Sequence, residues 1–539
     1  MQVKPKRQPG RVRRSTIAAV AVAGAAIATT RQVLTLTADP AGEKTNPSIL
    51  PAPTPQATGA ASAPRLEASD TQLPWTQRGG TLDDASFLDR TDIYGVVRVT
   101  QEEHVRGALA LARARGLKVS AAGVRHSMGG HAFAHNALVL DMTGFNKLTL
   151  DESARLISVQ AGATWHAIQE QLHPRFAVKA MQSTDIFTVG GSVCVNAHGM
   201  DHRVGAIAET IRWLRVMLPD GTVRQISRSQ DSELFRHVVG GYGLFGIILE
   251  AQLEVTPNVL YRSERRVVDY RQFPCIWDKE ILPDSSVGLF YGHLSTAPGS
   301  LLREMIFYVY RDAGPVPPDL PPLGEVSQVK LRRLVLNLSK HGSLFRSAKW
   351  FLERHVEPRL ESCTVTRAQG MTEGEACFVS RNEPMHDSVP YLRNNLKGET
   401  DILQEYFVPR RRFLEFIDGA RDILASQTAN LLNASVRAVH REDIALTYAP
   451  EDTFSLVLYV NQRTDEGGNR SMRRLTESMI DLTVSLGGRF FLPYQLHYTP
   501  QQLERSYPEI ASFFRTKRRY DPDLLLTNTW FETYAHYWP

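Results

Sequence analysis

The stretch Gly123-Val124-Arg125-His126-Ser127-Met128-Gly129-Gly130 decides how the first half of this chain reads. Its glycines let the backbone turn sharply and come close to a ligand. Successive backbone N–H groups in such a turn can cradle a phosphate. Ser127 adds a hydroxyl, and His126 puts a nucleophilic ring nitrogen on an otherwise small loop. A second tract, Phe187-Thr188-Val189-Gly190-Gly191-Ser192-Val193-Cys194-Val195-Asn196-Ala197-His198-Gly199, repeats the same logic. Either tract alone reads as an ordinary tight turn. Together they point to one large phosphate-containing cofactor, gripped twice.

The flanks mix strands and helices. Asp92–Thr100 alternates as a strand, and Gln101–Arg115 carries Val105, Ala108, Leu109 and Ala112 at helical spacing before Gly116. Lys118–Ala122 is a strand feeding the His126 loop, Ala137–Met142 a buried strand, Leu156–Ala161 an alternating one and Thr164–Leu172 a helix. Thr210–Leu218 and Thr222–Ile226 flank Pro219-Asp220-Gly221, a hairpin turn. The mixture predicts an α+β class rather than repeated βαβ units. Gly241-Tyr242-Gly243-Leu244-Phe245-Gly246 matches G-x-G-x-x-G, but Ile247–Val255 then alternates as a strand, so the dinucleotide fingerprint is rejected. These glycines read instead as letting the backbone pass close to a flat ring.

From Thr256-Pro257 to about residue 485 the chain has more aromatics, strands such as Met305–Tyr310 and Phe454–Val460, and a proline-rich loop at Ala313–Gly324. It reads as a second domain, with 486–539 returning to the first. The expected layout is leader 1–38, linker 39–78, cofactor domain 79–258, substrate domain 259–485 and a returning segment 486–539.

Composition is that of a globular protein, 42% hydrophobic and 22% charged in 539 residues. Net charge is +5, but Lys4, Lys6, Arg7, Arg11, Arg13, Arg14 and Arg31 precede any acid. The remaining 55 basic residues face 57 acids, a balance of −2 that gives no argument for nucleic acid. Four cysteines without C-x-x-C or metal spacing read as neither a disulfide scaffold nor a zinc site. One Cys363–Cys377 bridge stays open for an exported protein. No metal is expected.

The basic residues 1–14 precede the apolar, small-residue stretch 15–30, which contains Ala26-Ile27-Ala28. That order reads as an export signal, or as an uncleaved anchor. Arg13-Arg14-Ser15-Thr16-Ile17 partly resembles a twin-arginine signal, although Val12 precedes the pair and no Phe-Leu follows. An exported or membrane-associated location follows. Residues 39–74, rich in Pro, Ala, Ser and Thr, read as a flexible linker. Lys330–Arg354 carries Leu331, Leu334, Val335 and Leu338 at helical spacing with a basic polar side. It reads as a solvated basic helix, against the alternative of a helix lying on a membrane or meeting a lipid phosphate.

The two loops, their spacing and the Gly240–Gly246 segment resemble the PCMH-type FAD-binding domain of the vanillyl-alcohol oxidase family. The nearest resemblance is to its alditol, aldonolactone and decaprenylphosphoryl-ribose oxidases. Leu403-Gln404-Glu405-Tyr406-Phe407-Val408-Pro409 is similar to a strand of their cap domain. Tyr507-Pro508 and Arg518-Arg519-Tyr520-Asp521-Pro522 are similar to their C-terminal signature. The resemblance implies a two-subdomain FAD-binding domain with an α+β cap. FAD is then expected along Arg125, His126, Ser127, Met128 and Gly129 on one side. Ser183, Thr184, Gly190, Gly191, Ser192, Asn196, Ala197 and His198 are expected on the other, with Ile247 meeting the adenine side through its backbone. In the alditol and gulonolactone types, a histidine at the position of His126 carries FAD covalently; in the ribose type FAD is held without a bond.

Flavin oxidation of an alcohol needs a base for the hydroxyl proton and a cation for the developing negative charge. The family supplies an E-x-R strand and a lysine. The matching strands here are Ser435-Val436-Arg437 and Pro493-Tyr494-Gln495-Leu496-His497. The arginine is kept, Ser435 replaces the glutamate and His497 replaces the lysine. Arg437 is expected to supply charge, His497 to act as base or relay, and Tyr494 to orient. The partners are a small alcohol or sugar and oxygen or a membrane quinone or cytochrome as acceptor, with no nucleic acid. The competing readings are the oxidising half of an epimerase acting on a lipid-linked sugar, and a flavin-binding module without turnover.

Overall fold

Three sheets carry the molecule. A computed structural model of the chain describes residues 32–40, 72–326, 328–355 and 378–539. The first sheet has four strands in the order Trp75–Arg78, Gly95–Arg98, Leu138–Asp141, Val119–Ala122. The last three run parallel, and the crossover from the second to the fourth is the helix Glu102–Arg115, closed by Gly116 in the left-handed region. Residues near the C-terminus extend this sheet: Val119 donates to the Leu525 carbonyl at 2.8 Å, and Thr527 donates back to Val119 at 2.9 Å.

The second sheet places Val223–Ile226, Ile211–Met217, Ile247–Pro257, Leu156–Gln160 and Leu148–Asp151 side by side, all antiparallel. Phe176–Val178 pairs with the far end of Ile247–Pro257. The strand expected after Gly246 is present, as rejection of the dinucleotide fingerprint requires. Two of those glycines lie against protein, whereas a Cβ on Gly243 would have nothing within 4 Å. A Cβ on Gly246 would stand 2.4 Å from Val216, and one on Gly241 would meet the His237 carbonyl.

The third sheet is fully antiparallel and has eight strands: Phe378–Ser380, Val259–Asp269, Glu304–Pro315, Val287–Leu294, Asn430–Val439, Thr453–Arg463, Glu399–Pro409 and Arg489–Phe490. Alternation along Glu399–Pro409 assigns its two faces. Gln404 bonds Thr476 at 2.7 Å and Tyr406 packs near Phe416, so this face is covered by the helices Phe413–Ser426 and Glu466–Ser485. Glu405 and Phe407 therefore point the other way, toward the first two sheets.

Sheets one and two meet sheet three across a polar seam. Arg381 is its central tie: its guanidinium lies 2.5 Å from Asp201 and also reaches the Val178 and Lys179 carbonyls and the Tyr261 hydroxyl. Burial of this cation is offset by the carboxylate beside it and by four hydrogen bonds.

Two expectations change. Lys330–Arg354 is not one solvated helix but two, Val329–Ser339 and Ser343–His355, broken where Gly342 takes φ +122°. Three of its cations are turned inward, while Lys330 and Arg332 stay exposed: Arg333 meets Asp39, Lys340 meets Asp401 at 2.8 Å, and Lys349 pairs with Glu353. Leu344 and Phe351 instead stand 76% and 59% exposed. Ion pairs across the protein outbid solvation of the cations, which periodicity alone does not reveal. Residues 32–37, expected to end the leader, form a helix seated on Val329–Ser339, where Asn337 donates to the Leu36 carbonyl at 2.8 Å. Residues 1–31 and the Cys363–Cys377 pair lie outside the described residues.

Candidate functional site

The first glycine tract follows the edge strand Val119–Ala122 and enters the seam. Arg125 takes φ +55°, an uncommon left-handed setting for a side chain of this size. The turn is tied at both ends: Ala85 donates to the Arg125 carbonyl at 3.0 Å, and Gly130 donates to the Asp84 carboxylate at 3.0 Å. Asp84, a residue the sequence did not single out, is buried with Asp83 and Asp89. Burial pushes all three carboxyls up, Asp83 and Asp89 to about 6.

The two tracts touch. A Cβ on Gly123 would stand 2.1 Å from Thr188 Oγ1, and one on Gly129 would stand 2.4 Å from the Tyr494 carbonyl. Met128 donates to the Pro493 carbonyl at 2.8 Å, so the tract also locks against 493–497. Ser127 is half-buried in the same turn. His126 packs edge-on to Phe187 at 5.0 Å, and burial, followed by the Arg393 cation, lowers its pKa to about 4. Its imidazole is thus neutral near pH 7.

In the second tract, Val189–Val195 forms a short helix that ends at Asn196 with φ +49°. Gly190 is pressed on Ala161, while Gly191 is exposed. Ser192 accepts from Trp165 at 2.9 Å. Asn196 donates to Glu442 at 2.7 Å, and the Ala197 N–H returns to the Ser192 carbonyl. Thr184 donates to the Asp387 carbonyl at 2.6 Å, joining the 183–187 loop to the third sheet's domain. Ile247 is buried and paired in register with Met217.

The facing sheet supplies the charged floor. Glu405 and Ser435 both pair with Val457, and Phe407 and Arg437 both pair with Ser455, so all four side chains share the seam face. Arg437 is buried, lies over the Tyr291 ring at 4.3 Å and donates to Ser183 Oγ at 3.0 Å. Burial lowers its pKa, and no carboxylate forms an ion pair with it among the described residues. Glu405 Oε1 lies 2.8 Å from His198 Nε2, both groups buried. Tyr494 belongs to this group: its pKa is raised by burial and then by the Glu405 charge.

Of the three expected catalytic residues, Arg437 and Tyr494 both feel the Glu405 charge, while the charge that acts on His497 is Arg473. His497 is buried, with its pKa lowered to about 4 by burial and then by Arg473 on the helix Glu466–Ser485. That helix covers the opposite face of the sheet. The buried carboxylate that sequence comparison places at Ser435 stands instead at Glu405, two strands away. Its only sequence signal was the polar residue inside Leu403–Pro409.

The seam fits a flavin. Both amide atoms of Gln182 and Nδ1 of His198 are buried with no protein partner among the described residues, which suits the polar edge of a ring. Arg437 offers the cation that an anionic reduced ring needs. Arg125–Gly129, Ser183, Thr184 and Gly190–His198 surround the same space and would hold the cofactor.

Residues 94–227 match the FAD binding domain family, here of the PCMH type. Decaprenylphosphoryl-beta-D-ribose oxidase of Mycolicibacterium smegmatis is 34% identical over 190 residues, 34% of this chain and 39% of that protein. L-gulono-1,4-lactone dehydrogenase of Mycobacterium tuberculosis is 28% identical over 174 residues, 32% of this chain and 40% of that protein. The chain thus matches about two fifths of the length of these two relatives. Cytokinin dehydrogenase 2 of Arabidopsis thaliana is 29% identical over 443 residues, 76% of this chain and 82% of that protein.

Proposed function

We propose that this chain, built on an FAD binding domain at residues 94–227, oxidises a C–OH group of a sugar, aldonolactone, polyol or related alcohol. The observation that carries this reading is the pairing of a buried cation, Arg437, with a buried carboxylate–imidazole contact, Glu405–His198, on one face of the seam. FAD supplies hydride acceptance when bound. Arg437 stabilises negative charge at the seam. Glu405 and His198 take up the hydroxyl proton, and Tyr494 orients the alcohol oxygen. Phe407 and Phe491, packed at 5.7 Å, exclude water beside them. The neutral ring of His126 retains the nitrogen lone pair that covalent flavin attachment requires.

The relatives named as ribose oxidase and lactone dehydrogenase support a carbohydrate-like substrate. Anaerobic mixing of the purified yellow protein with polyols, aldonolactones and sugars tests it. Bleaching by one class names the substrate, and the rate of recolouring in air separates oxygen from another acceptor. A flavin that no member bleaches would favour a binding module without turnover.

A second observation favours a membrane-side setting. Leu344, Phe345, Phe351 and Leu352 lie at helical spacing on the outward side of Ser343–His355, with Leu331, Lys330 and Arg332 exposed on the adjoining helix. The helix 32–37 docked beside them directly follows the apolar stretch 15–30. This arrangement supports contact with a lipid surface, a membrane quinone or cytochrome as acceptor, or a lipid-linked sugar as substrate. No helix among the described residues is long and apolar enough to cross a membrane.

A further inference from the structure

Next to the Ser183–Thr184 loop, at Asp185, two histidines meet. His166 lies on the helix Trp165–Leu172 of the FAD domain, and His386 follows the turn Glu383–Met385 of the cap. Their rings stack with centroids 4.6 Å apart and planes 23° from parallel. Both Nδ1 atoms face one buried carboxylate oxygen, Asp185 Oδ2, at 2.9 Å and 3.2 Å. His386 Nδ1 also lies 3.0 Å from Gln169 Oε1.

Acceptors at both Nδ1 positions fix the tautomer: each neutral ring carries its proton on Nδ1 and its lone pair on Nε2. Both Nε2 lone pairs then emerge on the same side. There they meet not donors but further oxygen. Glu325 Oε1 lies 3.7 Å from His166 Nε2 and 4.0 Å from His386 Nε2, and Glu170 Oε1 lies 3.7 Å from His166 Nε2. Two lone pairs and two carboxylates converging on one point repel unless a proton or a metal cation joins them. Ligand atoms around a tetrahedral zinc ion stand about 3.3 Å apart, given metal–ligand distances of about 2.0 Å. The histidine–glutamate separations exceed that by less than one ångström, the ligand atoms of His166, Glu325 and His386 all lie within 4.8 Å of one another, and Glu325 and Glu170 are exposed side chains that can move toward an ion.

We propose that His166, His386 and Glu325, completed by Glu170 or water, bind a borderline divalent cation of the zinc type. Imidazole donors argue against magnesium and calcium, which take oxygen. Asp185 is the carboxylate that orients both rings from behind, the arrangement that recurs behind metal-bound histidine. The cation joins three segments: the FAD domain through His166, the proline-rich stretch through Glu325 and the cap through His386. Neighbouring contacts cross the same seam, with Gln169 donating to the Asn382 carbonyl at 3.1 Å. The ion therefore acts as a clamp between the domains, apart from the reacting atoms.

The full-length flavoprotein, stripped with EDTA and dialysed, is titrated with zinc chloride by calorimetry and by thermal denaturation. The expected result is one zinc per chain, bound at micromolar concentration or tighter, with a rise in Tm that scales with zinc. Glu325→Gln and His166→Gln alter exposed or half-exposed side chains and are expected to weaken zinc binding about 10-fold or more, with flavin content and absorbance unchanged. Magnesium at the same concentration is expected to leave Tm unmoved. Absence of zinc binding overturns the proposal. So does zinc binding of unchanged strength in both variants, which would place the ion elsewhere.

Discussion

Glu405, on the strand Glu399–Pro409, and His198, at the end of the second glycine tract, stand 2.8 Å apart, Oε1 to Nε2, at the same seam that Arg437 enters. A buried carboxylate against a buried imidazole provides two linked proton acceptors without solvent. Glu405→Gln keeps the shape and removes the charge. Its rate of flavin reduction is expected to fall about 10²–10⁴-fold, the usual range for a general base. Stopped-flow bleaching reads it, with FAD content as the control. His497→Ala is expected to cost far less. A larger loss in that variant would return the base role to His497.

Arg437→Ala removes a buried cation that has no ion-pair partner among the described residues and feels Glu405 only at a distance. Loss of a preorganised charge of this kind costs about 10²–10³-fold in kcat. Arg437→Lys should recover part of it, since an ammonium restores charge but not the planar fork that reaches Ser183. Equal activity of Arg437→Ala and the parent chain would remove Arg437 from the mechanism.

His126 gives a test that needs no substrate. Flavin colour is expected to stay in the acid-precipitated pellet of the parent protein and to leave it in His126→Ala. Colour released from the parent would mean that FAD is held only by contacts of the two tracts.

Glu442 links cofactor-loop geometry to pH. It is buried, accepts from Asn196 Nδ2 at 2.7 Å, and burial raises its carboxyl from 4.5 to about 8. The unfolded chain releases this proton first, so the stabilisation is complete below about pH 4.5 and declines as pH rises through about 8. The slope approaches about 1.4 kcal/mol per pH unit in that window. Glu442→Gln keeps the acceptor and abolishes the titration. Its Tm is expected to fall less than the parent's on going from pH 5 to pH 8, and parallel profiles would refute the assignment.

The outward apolar side of Ser343–His355 predicts lipid binding. Replacing Leu344 and Phe351 together by Glu removes two exposed anchors, 76% and 59% accessible. Co-sedimentation with anionic phospholipid vesicles should weaken about 10-fold or more, given about 1.5–3 kcal/mol for burying each such side chain. Undiminished sedimentation would exclude this surface.

What the chain announced by itself was local. Glycine chemistry marked the 123–130 and 187–199 tracts, because backbone turns of that kind need small residues wherever they fold. Alternation and helical spacing located Glu102–Arg115, Leu156–Gln160 and Ile247–Pro257 to within a few residues, because those periods reflect burial of one face. The family resemblance then supplied FAD and Arg437. Which polar groups meet was not local. Glu405 reaches the seam and Gln404 the helices because of one step of strand parity, and the pairing of Glu405 and Ser435 with a common Val457 follows from strand order across eight strands. His166 and His386 share Asp185 only because the segment around His386 folds back on the helix Trp165–Leu172. Side-chain type is written in the chain, but the low-dielectric contacts that give a buried charge its role exist only where distant segments exclude water together.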